Sequence, residues 1–297
     1  MNDLLNPLSP RNPSNLSHNG DGDEGFENNK KEDTYVEGAE FIPLPSKGLF
    51  YNFSPNYIGL ENLKVRQLTF EDEDILTTRS FFENGTLFIE LLKQTIVDQN
   101  GFPATQLVPI DRDTILLWLR STSFGNIYEV DFECPNCKHK NSLSWDLSKL
   151  EIPQYEKEVE EELRQNAGEL ELFTPQRRIR VKISVPTLTA AKNFERLVSA
   201  KKNNTGKETL GTSSLYLIVT AVYDEENNTW IRRRPEIEQY FKKKNLTLFD
   251  MRFIKKQFEK ISLKYDTIKT MTCSSCGHVE EGVEMPILHP NFFWIDK

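Results

Sequence analysis

Phe132-Glu133-Cys134-Pro135-Asn136-Cys137-Lys138-His139 and Met271-Thr272-Cys273-Ser274-Ser275-Cys276-Gly277-His278 contain all four cysteines of the 297-residue chain. A Cys-x-x-Cys turn presents two thiolates about 3.5 to 4 Å apart, and a zinc ion takes four ligands at tetrahedral corners, so two such turns complete one site. Around the first turn, residues 126–132 and 143–147 alternate apolar and polar side chains, as the strands of a hairpin do. Residues 267–271 and 279–284 flank the second turn in the same way, and Pro135 and Gly277 suit tight loops that wrap a metal. The pattern is that of a zinc ribbon split into two β-hairpin knuckles, residues 126–148 and 266–286. Cys134, Cys137, Cys273 and Cys276 are the expected ligands of one structural zinc ion per chain.

Disulfide bonds and a redox-active Cys-x-x-Cys are the competing readings. The sequence shows no N-terminal signal peptide and no apolar run of about 18 residues, so the expectation is an intracellular, membrane-free protein whose thiols stay reduced. A redox motif opens a helix after a strand, whereas both turns here sit between strand-like segments. Four thiolates leave no coordination position for water, which makes the site structural and not catalytic. His139 and His278 then read as solvated turn residues.

A hydrophobic content of 37% is enough for a sizeable core. The net charge of -8 argues against broad binding to a phosphate backbone. Residues 1–37, rich in Asn, Ser, Pro, Gly and acids, are expected to form a disordered N-terminal tail. Residues 38–125 read as an extended segment followed by three helices, with Thr69 and Asp111 as helix caps. Residues 149–265 read as an α/β insertion, in which 213–223 is assigned to a helix on its i, i+3, i+4, i+7 spacing. The fold class expected is α+β, predominantly helical, with the split ribbon joining distant segments.

Two apolar stretches are candidates for partner contact. Phe41, Leu44, Leu49, Phe50 and Tyr51 lie in a proline-punctuated segment expected to be extended. Phe292, Phe293, Trp294 and Ile295 lie in the apolar C-terminal tail, residues 287–297. Packing within the chain is the preferred alternative for both. Arg232 to Arg234, Lys242 to Lys244 and Lys255-Lys256 offer a second function, a zinc-ribbon module that binds nucleic acid, against which stands the acidic total. No phosphate loop, nucleophile elbow or His-Glu-x-x-His motif occurs, so neither an enzyme nor a small-molecule substrate is expected.

The run from Phe41 through Pro43, Pro45, Lys47 and Gly48 to Tyr51, the Leu68-Thr69 helix entry with its acidic turn, and Val130 to Cys137 together resemble the baseplate hub assembly proteins and hub subunits of T4-like contractile-tailed bacteriophages. The resemblance covers residues 40 to 150 and extends to the second half-ribbon. It implies a non-enzymatic component or assembly factor of the central hub. Its partners would be other hub or tail proteins, and its locations the host bacterial cytoplasm during assembly and the virion tail baseplate.

Overall fold

Strand β1 (Ala39–Pro43) pairs antiparallel with β2 (Asn62–Arg66). Between them the backbone does not stay extended as its prolines suggest. It coils through successive turns, with Lys47 N donating to Leu44 O at 2.8 Å and Leu49 N to Ser46 O at 3.1 Å. Gly48, at φ 64°, makes the coil possible, because a Cβ there would lie 2.2 Å from the Leu60 nitrogen. The computed structural model describes residues 38–97, 101–205 and 210–293. The expected disordered tail, residues 1–37, lies outside them, as do Trp294 and Ile295.

Four helices follow where three were expected: α1 (Glu73–Thr77), α2 (Arg79–Glu83), α3 (Leu87–Thr95) and α4 (Pro109–Phe124). The acidic entry to α1 is structural. Asp72 accepts the Thr69 amide at 2.7 Å and takes a two-pronged ion pair from Arg66 at 2.7 and 2.8 Å. Burial opposes ionisation of Asp72, but Arg66 outweighs it and holds the carboxyl below its ordinary range.

Asp111 does not cap α4, because Pro109 opens that helix one turn earlier than assigned. The Asp111 carboxylate points inward instead. It accepts from Ser46 N at 2.9 Å, Ser46 Oγ at 2.5 Å and the Tyr51 hydroxyl at 2.5 Å, and so pins the coil to α4. Burial pushes its pKa up to about 6 against the pull of those three bonds.

After α4 come β3 (Ile127–Glu133) and β4 (Lys140–Asp146), a hairpin in continuous register. The segment from there to the second hairpin runs α5 (Lys157–Gln165), β5 (Leu170–Phe173), β6 (Arg180–Ile183), α6 (Leu188–Thr205) and α7 (Leu210–Ile218). It continues through β7 (Val219–Asp224), β8 (Thr229–Ile231), α8 (Arg234–Lys243) and α9 (Leu248–Ile261). Strands β9 (Ile268–Thr272) and β10 (Val279–Glu284) form the second hairpin. Strands β5 to β8 make one antiparallel sheet in sequence order.

Residues 213–223 are therefore not one helix. The chain leaves α7 at Ile218 and becomes a strand, because Val219 and Val222 bury against Ile183 and Val181 of β6, where β-branched side chains pack well. "Predominantly helical" is likewise too strong, since 42% helix stands beside 22% strand. The class is mixed α and β.

The described residues belong to one compact unit. Leu188 N donates to Leu107 O at 2.9 Å and the Thr114 and Tyr265 hydroxyls meet at 2.9 Å, so the central segment is stitched to α4 and its approach; within the segment Tyr155 OH donates to Ile261 O at 3.2 Å. Among the described residues no helix is long and apolar enough to cross a membrane.

Candidate metal centre

The two hairpins bring their turns face to face. Cys134 Sγ lies 3.7 Å from Cys276 Sγ, and Cys137 Sγ lies 3.6 Å from Cys273 Sγ. All four sulfurs fall within 4.8 Å of one another. A tetrahedral site with metal–sulfur bonds of about 2.3 Å has edges of about 3.8 Å, so the cluster has the size such an ion needs. Cys134 and Cys273 are buried, while Cys137 and Cys276 are exposed at the rim.

Each turn is built alike. Cys134 N donates to His139 O at 2.9 Å and Lys138 N to Cys134 O at 2.9 Å; Cys273 N donates to His278 O at 2.8 Å and Gly277 N to Cys273 O at 3.0 Å. Lys138 and Gly277 both take the left-handed conformation, with φ 60° and 73°. The histidines thus serve through their carbonyls. The His139 side chain is exposed, and His278 Nε2 meets Glu280 at 3.2 Å.

The electrostatics of four clustered sulfurs favour a cation. Backbone amides of Cys276 and then Ser275 pull the Cys273 thiol down to about 6. The His278 amide and the Asn136 side chain lower Cys276. The His139 amide favours a Cys137 thiolate, but the neighbouring sulfurs, Cys276 first, prevail and push that thiol up to about 12. The sulfurs compete because each new negative charge discourages the next, and a bound divalent ion removes that conflict.

Two asparagines complete the surroundings and were not singled out from the sequence. Asn141, nearly buried at the start of β4, accepts from Ser274 N at 2.9 Å and donates to His139 O at 3.0 Å and to Cys273 Sγ at 3.6 Å. Asn136 donates to Cys276 Sγ at 3.6 Å. Each reaches from the first half-ribbon to the second. Beneath them Trp145 Nε1 donates to Thr267 O at 2.9 Å, and Lys269, which bonds Ser144 O, lies 5.4 Å from the Trp145 ring. No spacing rule marks Asn141; only its place directly after a knuckle could have drawn attention.

The same turn occurs a third time without cysteine. Between β5 and β6, Thr174 N donates to Ile179 O at 2.9 Å and Arg178 N to Thr174 O at 3.0 Å, with Arg178 at φ 54°. Thr174-Pro175-Gln176-Arg177-Arg178-Ile179 thus superimposes in pattern on Cys134-Pro135-Asn136-Cys137-Lys138-His139. Where the Cys273 thiolate accepts the amides two and three positions on, here the buried Asp250 carboxylate from α9 accepts Gln176 N at 2.8 Å and Arg177 N at 3.2 Å.

The apolar candidates for partner contact require correction. Leu44, Leu49, Phe50 and Tyr51 are buried in the chain's own core, as are Phe292 and Phe293. Tyr51 is held by Asp111 and Phe102, and the ring of Phe292 stands edge-on to Tyr128 at 4.9 Å, while Phe293 meets Phe88 and Phe124 at 6.2 Å. Phe292 and Phe293 thus pack against α3, α4 and β3, while Leu49 and Phe50 lie against Gly168 after α5. Phe41 alone of the described candidates stays open, 63% exposed, with Lys64 over its ring at 5.7 Å.

Most cations of the first two basic runs are matched by acids. Arg232 pairs with Glu169 at 2.7 and 3.0 Å, Lys242 with Glu238 at 2.8 Å, and Lys243 and Lys244 with Glu226 at 2.7 and 3.3 Å.

Residues 44–294 match the family described as T4 bacteriophage base plate protein, and the chain belongs to that family. No curated protein and no solved structure matched it. Membership assigns the chain to the base plate of a phage tail, a structural assembly, and so to contact with other tail proteins.

Proposed function

We propose that the chain is a non-enzymatic component of the central hub of the base plate, a resident subunit or an assembly factor, folded around one structural zinc ion. The base plate role rests on the family match, and the observation that carries the zinc is the tetrad of sulfurs, in which Cys134 and Cys276 meet across 142 positions. All four cysteines face one another, so the strongest nucleophiles in the chain serve as ligands and none is presented to a substrate. On the same reading the chain meets its partners in the host bacterial cytoplasm, during assembly of the tail. The test is to tag the chain in infected cells, isolate both free complexes and finished tails, and identify what travels with it. Central hub proteins in either fraction support the reading; peripheral base plate or fibre proteins alone contradict it.

The nucleic-acid alternative has less support. Its cations are largely neutralised within the chain, and the remaining field of a protein of net charge -8 repels phosphate. Salt-dependent binding of duplex DNA by the zinc-loaded chain would restore it.

A further inference from the structure

The metal-free knuckle between β5 and β6 lies at a corner of the molecule with an unusual surface. Asp250 clamps it by two backbone amides, and Thr247 Oγ1 in turn donates to Asp250 at 2.9 Å, so the turn is rigidly attached to the first turn of α9. The residues just before Asp250, Leu248 and Phe249, are 68% and 58% exposed, and Phe173 at the end of β5 is 51% exposed. Phe173 directly precedes the turn, and Leu248 and Phe249 directly precede the residue that clamps it.

Charge distinguishes this corner from the rest of the basic surface. Among the described residues neither Arg177 nor Arg178 has a carboxylate partner, unlike Arg232, Lys243 and Lys244. Arg177 Nε donates only to Asn245 O at 3.0 Å, and Arg178 lies over the Phe173 ring at 5.9 Å. A guanidinium stacked on an aromatic ring keeps its fork of donors free for a carboxylate. In a chain of net charge -8, two unpaired arginines beside three exposed apolar groups form a locally positive, partly apolar site.

We infer that this corner, made by Phe173, Arg177, Arg178, Leu248 and Phe249, is a docking surface for an acidic segment of another tail protein, which sets carboxylates on the arginines and an apolar side chain among the three exposed groups. Arginine and aromatic anchors held on a rigid support are the usual energetic centres of an interface. Charge complementarity selects the occupant. Two free cations are too few for a phosphate backbone, and a second copy docked by a twofold axis would set the same arginines against each other. The surface lies outside the hub reading and applies to any position in the base plate.

The test uses the full-length chain in infected cells, with photoreactive p-benzoylphenylalanine in place of Phe249 and, as a control, in place of exposed Glu83. Crosslinked peptides are identified by mass spectrometry. The expected result is a crosslink at position 249 to a net-acidic segment of another tail protein, reduced by about tenfold or more in R177E/R178E while the melting temperature of the purified variant changes little. Crosslinks to DNA, to a second copy or to a basic segment overturn the inference. So does an absence of crosslinks above the Glu83 control while tail proteins still co-purify. If no tail protein co-purifies at all, the base plate role itself has failed, and the partner falls with it.

Discussion

The Sγ atoms of Cys134 and Cys276 lie 3.7 Å apart across 142 positions of sequence. Holding them there closes a loop that contains the whole of the central α/β segment. By analogy with a disulfide, a cross-link around a loop of that length lowers the entropy of the unfolded chain by about 5 kcal/mol at room temperature. A metal that forms this link is therefore a large part of the stability of a domain that has about 5 to 15 kcal/mol in total.

Asn141 should matter to the metal more than its distance from a ligand bond suggests. Its side chain ties Ser274 and His139, one from each knuckle, and donates towards Cys273. Asn141→Ala is expected to speed zinc loss to a competing chelator by about tenfold or more, as loss of an outer partner commonly does. Its cost in unfolding free energy should be about 1 to 3 kcal/mol, since it leaves buried polar groups unpaired. Zinc retention equal to wild type in a chelator-competition assay would show that the asparagine is incidental.

Asp111 gives a pH dependence of definite sign. Its pKa rises from 3.8 to about 6 on folding, so the folded state holds the proton more tightly than the unfolded one. Its contribution to stability is then largest below pH 3.8 and is lost as the pH rises through 6. Relative to Asp111→Asn, which does not titrate, wild type should gain about 2 kcal/mol between pH 7 and pH 4 in urea unfolding. A difference that stays flat, or falls on acidification, contradicts the assignment.

Phe292 and Phe293 are core residues, and substitution should show it. Phe292→Ala empties a fully buried site against Tyr128, with an expected loss of about 3 to 5 kcal/mol. Truncation after Asn291 should lower the melting temperature for the same reason. A truncated chain that melts like wild type but fails to capture its partner would reinstate the exposed tail.

Asp250→Ala tests the third knuckle. Removing the carboxylate leaves the Gln176 and Arg177 amides and the Thr247 hydroxyl without their acceptor, at an expected cost of about 2 kcal/mol and with faster amide exchange at residues 174–179. Unchanged exchange there would mean that the turn holds itself.

The cluster of four cysteines was legible in the sequence because Cys-x-x-Cys spacing and strand alternation are local, and the hairpins formed where the pattern placed them. In the central segment β5, β6 and the helix after them followed for the same reason, whereas β7 and β8 did not. What was missed depends on contacts between distant residues. Whether Tyr51 faces outward is decided by Asp111, sixty positions away, and whether Phe292 is buried is decided by Tyr128. The break at Ile218 escaped because a run of apolar residues suits a buried helix and a buried strand equally until β6 supplies a partner. The third knuckle was hidden because its anion comes from a different element, so that no Cys-x-x-Cys signal remained.

The most direct test of the account is the metal content of the purified full-length chain, measured by inductively coupled plasma mass spectrometry together with its thermal unfolding before and after chelation. The account predicts about one zinc per chain, none in the quadruple Cys→Ser variant, and cooperative loss of structure when the ion is removed. A chain that carries no zinc or other thiophilic metal, and unfolds identically with and without chelator, would contradict it.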